Sequence, residues 1–221
     1  MDDLETTRRE IRQLRRSLTT AEQRAAAHAI AERLDRGAPL RSVRRVGVYL
    51  SFDGEVDLGP LIERLRARDV EVFVPVVLDD TLVFRRLDDQ TQWHTNRFGI
   101  AEPAADADGS AQCAPTDLDV VIVPATAVDL RGNRLGMGGG FYDRAFAATS
   151  PPTPASPPTP AAPTVSTAPT AKPRRPLLIA AVHDLQVLET ITPQDHDVAV
   201  DAIVTPTRWI DVQHPDRLVT D

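Results

Sequence analysis

The stretch Asp119-Val120-Val121-Ile122-Val123-Pro124, followed shortly by Gly132-Asn133-Arg134-Leu135-Gly136-Met137-Gly138-Gly139-Gly140-Phe141-Tyr142-Asp143-Arg144, decides the fold class. The first part is a short apolar, β-branched run that reads as a buried strand over Asp119–Val123. The second is a glycine-rich loop that opens a helix predicted over Tyr142–Ala148. A strand, a glycine loop and a helix in that order build a phosphate site. Glycine lets the backbone approach an anion closely, and free N–H groups there point at negative charge. Asp143, after the loop, is placed to hold a metal that travels with phosphates. The run breaks G-x-G-x-x-G at its last position and contains no Gly-Lys-Ser/Thr. A flexible surface loop is therefore the competing reading, and three adjacent glycines followed by two aromatics and an Asp weigh against it.

Outward from this unit the pattern repeats. Leu4, Ile11, Leu14 and Leu18 fall on one stripe of a helix predicted over residues 3–18, with Arg8, Arg12 and Arg15 together beside the stripe and Arg9 pointing away. Thr19-Thr20-Ala21-Glu22 reads as a capping box opening a helix over 21–35. Strands are expected at Arg44–Ser51, Val70–Val77, Thr81–Leu87, Leu177–Val182 and Val198–Val204, and a helix from Pro60 to Arg68. Residues 88–116 are polar and lack a clear period, so they read as loop with short elements. Strands alternating with helices predict an α/β fold with a mainly parallel sheet, in a single domain spanning 1–221.

Ser150–Pro176 stands apart. It holds 10 of the chain's 19 prolines, a density that leaves too little apolar surface to fold alone, so residues 150–176 are expected to be a disordered, extended insertion within the domain. A P-x-x-P docking role is the alternative.

Composition narrows the function. A formal charge of −7 and a pI near 5.2 argue against a general nucleic-acid binder and leave local basic patches for anionic small molecules. No apolar run approaches the roughly 18 residues of a membrane span, and the charged N-terminus lacks a secretory core. Cys113 is the chain's single cysteine, which excludes a disulfide framework. A cytoplasmic protein, probing neither membrane nor nucleic acid and acting as a monomer, is expected.

Glu55 lies just past the first strand, in Phe52-Asp53-Gly54-Glu55-Val56-Asp57. Ligands of open α/β sheets bind at the carboxyl ends of strands, where Glu55 could accept bonds from a ring N–H or an amine. Asp53 and Asp57 read as loop or cap carboxylates. The arginine stripe is balanced between an anion site and a solvated face, with Glu5–Arg9 as an ordinary i,i+4 pair. Asp197 and Asp201, near the last strand, could bind Mg2+ or belong to a turn.

Taken together, Arg8–Arg12, the run 48–57, Arg97-Phe98-Gly99-Ile100 with Glu102-Pro103, Asp117–Val120 with Pro124, residues 132–143 and His196-Asp197…Asp201 resemble the 5-formyltetrahydrofolate cyclo-ligase (methenyltetrahydrofolate synthetase) family. The resemblance implies a three-layer α/β/α sandwich that uses ATP as co-substrate with Mg2+. The implied reaction closes 5-formyltetrahydrofolate to 5,10-methenyltetrahydrofolate and releases ADP and phosphate. By the same resemblance Arg8, Arg12 and the loop Arg134, Leu135, Gly136, Met137, Gly138, Gly139, Gly140, Phe141 and Tyr142 bind ATP. Arg12, Leu50, Glu55, Met137, Gly138, Gly140 and Phe141 bind the folate, and Asp143 and Asp197 hold the metal. No protein nucleophile is implied. Many members carry Lys or Arg where this chain has Gly139, so Arg134 or an arginine of the first helix is expected to supply that charge. Many also have a glycine just after the proline that matches Pro124. A kinase or ligase acting on another small molecule, or a non-catalytic folate binder, are the alternatives.

Overall fold

The computed structural model describes residues 3–95, 99, 101–104, 112–147 and 175–212. Most of the proline-rich insertion and the motif residues Arg97, Phe98 and Ile100 lie outside them. In chain order the elements are α1 (Asp3–Arg16), α2 (Thr20–Arg36), β1 (Arg45–Gly47), α3 (Gly59–Arg66), β2 (Glu71–Leu78), β3 (Thr81–Arg86), β4 (Trp93–Thr95), β5 (Ala101–Pro103), β6 (Gln112–Cys113), β7 (Val120–Val123), β8 (Ala127–Asp129), β9 (Arg134–Leu135), α4 (Phe141–Ala147), β10 (Leu177–Ala181), β11 (Val187–Leu188), β12 (Ala202–Val204) and β13 (Trp209–Asp211).

The main sheet has eight strands in the order β13-β12-β10-β7-β1-β2-β3-β6. Its centre, β12 to β2, is parallel throughout. Antiparallel strands β13 on one side and β3 and β6 on the other complete the edges. The predicted α/β class and mainly parallel sheet are what the chain forms.

Strand alternation assigns the two faces. Val46, Val72, Val74, Val120, Ile122 and Ile179 pack against Ile30 and Leu34 of α2 and Leu61 and Leu65 of α3. The intervening Phe73, Val121, Val123, Leu178 and Ala180 face the other way, onto Phe146 of α4 and Val128 of β8. Each large apolar side chain removed from water here contributes roughly 1.5–3 kcal/mol. The layers are thus α2 and α3, the sheet, and a second cover made by short α4 together with the small sheet β11-β8-β9.

Local signals explain the element ends. Thr19 accepts from the Glu22 N–H while Glu22 reaches back to the Thr19 N–H at 2.7 Å, the predicted capping box. Several boundaries differ from expectation. The last strand is only Ala202–Val204. Val198 and Val200 are buried but donate backward, to Asp143 Oδ1 and to Gly132 O, and do not pair with β10 over that stretch. Gly132, the first glycine of the motif, is a turn residue between β8 and β9. Its φ is +82°, and a Cβ there would lie 2.5 Å from Val200 O. It serves the fold, not a phosphate.

The first helix also departs from its predicted stripe. Leu14 is 52% exposed, whereas Arg15, read as lying beside the apolar face, is fully buried. The reason is a partner: Arg15 donates from Nε to Asp53 O at 2.8 Å and from NH2 to Asp53 Oδ2 at 3.3 Å.

Candidate active site

The carboxyl ends of β1, β2 and β7 open into a cavity of about 520 Å3, within the range of a small-molecule site. Leu50 and Glu55 form one wall. Pro124, Ala125 and Thr126, just past β7, form a second. The glycine loop and the start of α4 form a third, with Arg134, Gly136, Met137, Gly139, Gly140, Phe141, Tyr142 and Asp143. Pro75 and Val77 of β2, Leu82 of β3 and Glu102 of β5 complete it. Glu102 belongs to the motif ending Glu102-Pro103, whereas Pro75, Val77 and Leu82 carry no motif and their apolar strand pattern reads as core. Of the predicted residues, Arg8, Arg12, Leu135, Gly138 and Asp197 do not line this cavity.

The Glu55 loop is held from beneath. Tyr49, buried on the strand exit, donates its hydroxyl to Val56 O at 3.1 Å and Ala181 O at 3.2 Å. Gln23 donates to Gly54 O at 3.1 Å. Burial pushes the Glu55 carboxyl up to about 7; the nearby Arg15 guanidinium, 3.7 Å away, and the Phe52 N–H oppose this. Tyr142 is raised in turn, first by burial and then by the Glu55 charge, and Arg134 pulls against it. Glu55 and Tyr142 therefore feel each other across the cavity.

The turn after β7 takes its shape from a buried glutamine. Gln186 donates to Ala125 O at 2.7 Å and Thr126 O at 3.1 Å, and Thr126 N–H donates to Leu135 O at 2.7 Å. This side chain shapes the turn, which has no glycine of its own.

The glycine loop is fixed at both ends. Asp129, fully buried, accepts from the N–H groups of Arg131, Asn133 and Ile191. Gly138 and Gly140 have φ of +92° and +62°, a region open to glycine at little cost. Arg144 donates to Gly139 O at 2.9 Å and lies over the Phe141 ring at 4.9 Å. A Cβ on residue 139 would lie 2.7 Å from the Phe141 ring, so this loop is built around glycine there. Arg8 reaches the loop from α1, donating from Nε to Gly136 O at 2.9 Å, and its NH1 meets Glu5 at 3.3 Å. Arg134, the residue expected to supply charge beside the loop, is 9% exposed; its NH2 pairs with Asp143, and its NH1 has no hydrogen-bond partner among the described residues. A buried cationic donor without an acceptor is costly, and this one stands in the cavity wall.

Asp143 accepts at Oδ1 from Arg134 NH2 at 2.5 Å and from Val198 N at 3.1 Å. Its Oδ2 accepts no hydrogen bond among the described residues. Asp197 precedes Val198 in sequence, but its Oδ2 accepts from Gln194 N at 2.9 Å and it does not line the cavity. Asp201 is elsewhere: Arg175 grips it at 3.0 and 2.5 Å, and Leu178 N also donates to it. The reading of Asp197 and Asp201 as a metal pair is thereby corrected. No group of three His, Cys, Asp or Glu among the described residues could hold a metal. Of the two carboxylates expected to hold Mg2+, only Asp143 stands in the cavity wall; one such carboxylate suits an ion that keeps waters and takes most other ligands from phosphates.

Asp53 is the residue that sequence reasoning undervalued. It accepts from Arg12 at 2.7 Å, from Arg15 and from Arg16, and its side chain is 6% exposed. Burial works to raise its carboxyl, but the Arg16 and Arg12 hydrogen bonds prevail and hold it below the usual range. Asp57 is the turn carboxylate expected, accepting from Gly59 N at 2.9 Å.

An open, mainly parallel sheet whose strand ends carry a glycine loop, a buried guanidinium and an apolar cavity defines an α/β protein with a candidate small-molecule site. The family model for the 5-formyltetrahydrofolate cyclo-ligase family matches residues 1–206. The 5-formyltetrahydrofolate cyclo-ligase of Escherichia coli is 33% identical over 201 residues, covering 90% of this chain and 97% of that protein. The protein of the same name from Haemophilus influenzae is 36% identical over 140 residues, covering 62% and 74%. The solution structure of Aquifex aeolicus 5,10-methenyltetrahydrofolate synthetase superposes with a TM-score of 0.73 at 25% identity, covering 95% of this chain and 93% of that one. The chain belongs to the 5-formyltetrahydrofolate cyclo-ligase family.

Proposed function

We propose that this protein closes 5-formyltetrahydrofolate to 5,10-methenyltetrahydrofolate at the cavity just described, consuming ATP and releasing ADP and phosphate. It is an ATP-dependent ligase of folate one-carbon metabolism. The observation that supports the siting is that Leu50, Glu55, the glycine loop, Asp143 and Arg134, whose buried NH1 has no hydrogen-bond partner among the described residues, line one cavity.

The chemistry asks little covalent work of the protein. A formamide oxygen is a poor leaving group. That oxygen attacks the γ-phosphorus of ATP and ADP departs. N10 of the folate then attacks the activated formyl carbon, N10 loses its proton, and phosphate leaves with the oxygen. Catalysis is chiefly alignment and charge neutralisation. Glu55, when ionised, accepts from the donor edge of the pterin. The glycine-loop N–H groups and Arg8, Arg12 and Arg134 take the phosphate oxygens, where preorganised donors act most strongly out of bulk water. Mg2+ held by Asp143 and Asp197 would neutralise phosphate charge. Apolar Leu50, Val77, Leu82 and Phe141 exclude water from the activated formyl group. The described part of the protein forms one domain, and we assign it a monomeric, cytoplasmic role with residues 150–176 as a passive insertion. ADP release that requires 5-formyltetrahydrofolate tests the reading. ATP hydrolysis indifferent to the folate, or folate binding with no ADP formed, would replace it by a different kinase or ligase, or by a folate carrier.

A further inference from the structure

Asp53 occupies a strained position at the junction of α1 and the Glu55 loop. Its φ is +54°, a left-handed conformation that a non-glycine residue adopts at a cost. Its carboxylate is nearly out of solvent, and Arg12, Arg15 and Arg16 of α1 converge on it. Arg15 alone would suffice to lock helix to loop, because Asp53 O also accepts its Nε at 2.8 Å. Arg12 is held differently. Asp53 takes its Nε at 2.7 Å, and its two η nitrogens carry no hydrogen bond among the described residues. The side chain is 33% exposed. The fork is thus oriented from behind while its far edge is left for an incoming acceptor. On the same helix, one turn back, Arg8 touches the glycine loop at Gly136. Arg12, Arg15 and Arg16 meet two carboxylates here, Asp53 and Glu55, so guanidinium groups remain in excess, which favours a polyanion.

We propose that Asp53 is a positioning residue that aims Arg12 at the phosphates of the nucleotide. The inference rests on the cyclo-ligase reading for the identity of that nucleotide. Without Asp53 the Arg12 side chain would have to be ordered by the ligand itself, and part of the binding free energy would go to fixing its rotamers.

The experiment is a double-mutant cycle on binding of a non-hydrolysable ATP analogue, measured by calorimetry on the full chain with Asp53→Asn, Arg12→Ala and both. Asp53→Asn keeps the shape and the main-chain bond to Arg15 but removes the charge that orients Arg12. Expected is about a tenfold loss of affinity in Asp53→Asn, the size of one charge-assisted contact, and less than about a twofold further loss when Arg12 is already Ala. A merely structural Asp53 would give the same loss in both backgrounds, and that result overturns the proposal, as does an unchanged affinity in Asp53→Asn. Should Asp53→Asn not fold, Asp53→Glu keeps Arg15 neutralised while displacing the acceptor. The same pattern is expected of it, and wild-type affinity would refute the idea. The unaltered protein separates this from the wider reading. Analogue binding without cyclisation of 5-formyltetrahydrofolate sinks the assigned activity and leaves Asp53 standing. Cyclisation with additive mutations sinks only Asp53, and no analogue binding sinks both.

Discussion

Glu55→Gln separates what the buried carboxylate does for stability from what it does for the ligand. The Glu55 side chain is 11% exposed, and its carboxyl is pushed from an ordinary 4.5 to about 7 by burial, against the pull of Arg15. A group whose folded pKa is raised binds its proton more tightly in the folded state. Stability therefore falls as pH rises from about 4.5 through about 7. At about 1.36 kcal/mol per pKa unit, the displacement is worth about 3 kcal/mol at full ionisation. Glutamine cannot ionise, so the variant escapes this penalty. Near pH 4, below both pKa values, the two proteins should melt nearly together. At pH 8 Glu55→Gln should melt higher, by roughly 6–12 °C for a chain of this size. The same variant should weaken 5-formyltetrahydrofolate binding more than ATP binding, as the proposed pterin contact of Glu55 requires. Thermal melts from pH 4 to 8 and calorimetric titration of each ligand check both halves. A variant less stable than wild type at pH 8 would mean that the Arg15–Glu55 attraction outweighs burial. Equal weakening of both ligands would remove Glu55 from the pterin site.

Asp143→Asn and Asp197→Asn should lower turnover chiefly through metal use, with added Mg2+ partly restoring the rate; an unchanged Mg2+ dependence in both would end the metal assignment. Arg8→Ala and Arg12→Ala should raise the KM for ATP about tenfold to a hundredfold, with little change in melting temperature, and wild-type ATP kinetics would return both to a solvated face. Arg175→Ala should destabilise the fold, because it leaves Asp201 without its bidentate partner beside β10, yet leave the KM for ATP unchanged; a raised KM would show that this end of the insertion belongs to the site. Replacing residues 150–172 by a short Gly/Ser link should leave activity and melting temperature nearly as they are, since loop length changes closure free energy by only about 0.6 kcal/mol per doubling, and a large loss of either would show the segment is not passive.

The parallel sheet was legible because Val46–Leu50, Val72–Val76, Val120–Val123 and Leu177–Val182 are continuous apolar runs, as strands buried on both faces must be. The glycine loop was legible because few other structures need that composition. The second layer was not. Strands β8, β9 and β11 are two or three residues long and are held by buried Asp129 and Gln186, whose partners lie up to 62 residues away. No local period announces such bonds. Arg15 failed for a related reason. Helical periodicity assigns an arginine beside an apolar stripe to the surface. Asp53 and Glu55, 38 and 40 residues along the chain, make its burial tolerable. The same blindness made Asp53 look like an ordinary loop carboxylate. Residue type and spacing found Glu55, Arg134 and Asp143, but the apolar wall of Pro75, Val77 and Leu82 emerges only when β2 and β3 are paired.

The account stands or falls most directly on one mixture. Purified protein, ATP, Mg2+ and 5-formyltetrahydrofolate should show the absorbance rise of 5,10-methenyltetrahydrofolate, with one ADP formed per methenyl product and no rise when ATP is omitted. A mixture that stays spectroscopically silent while the protein binds both ligands, or that yields methenyl product without ADP, would contradict it.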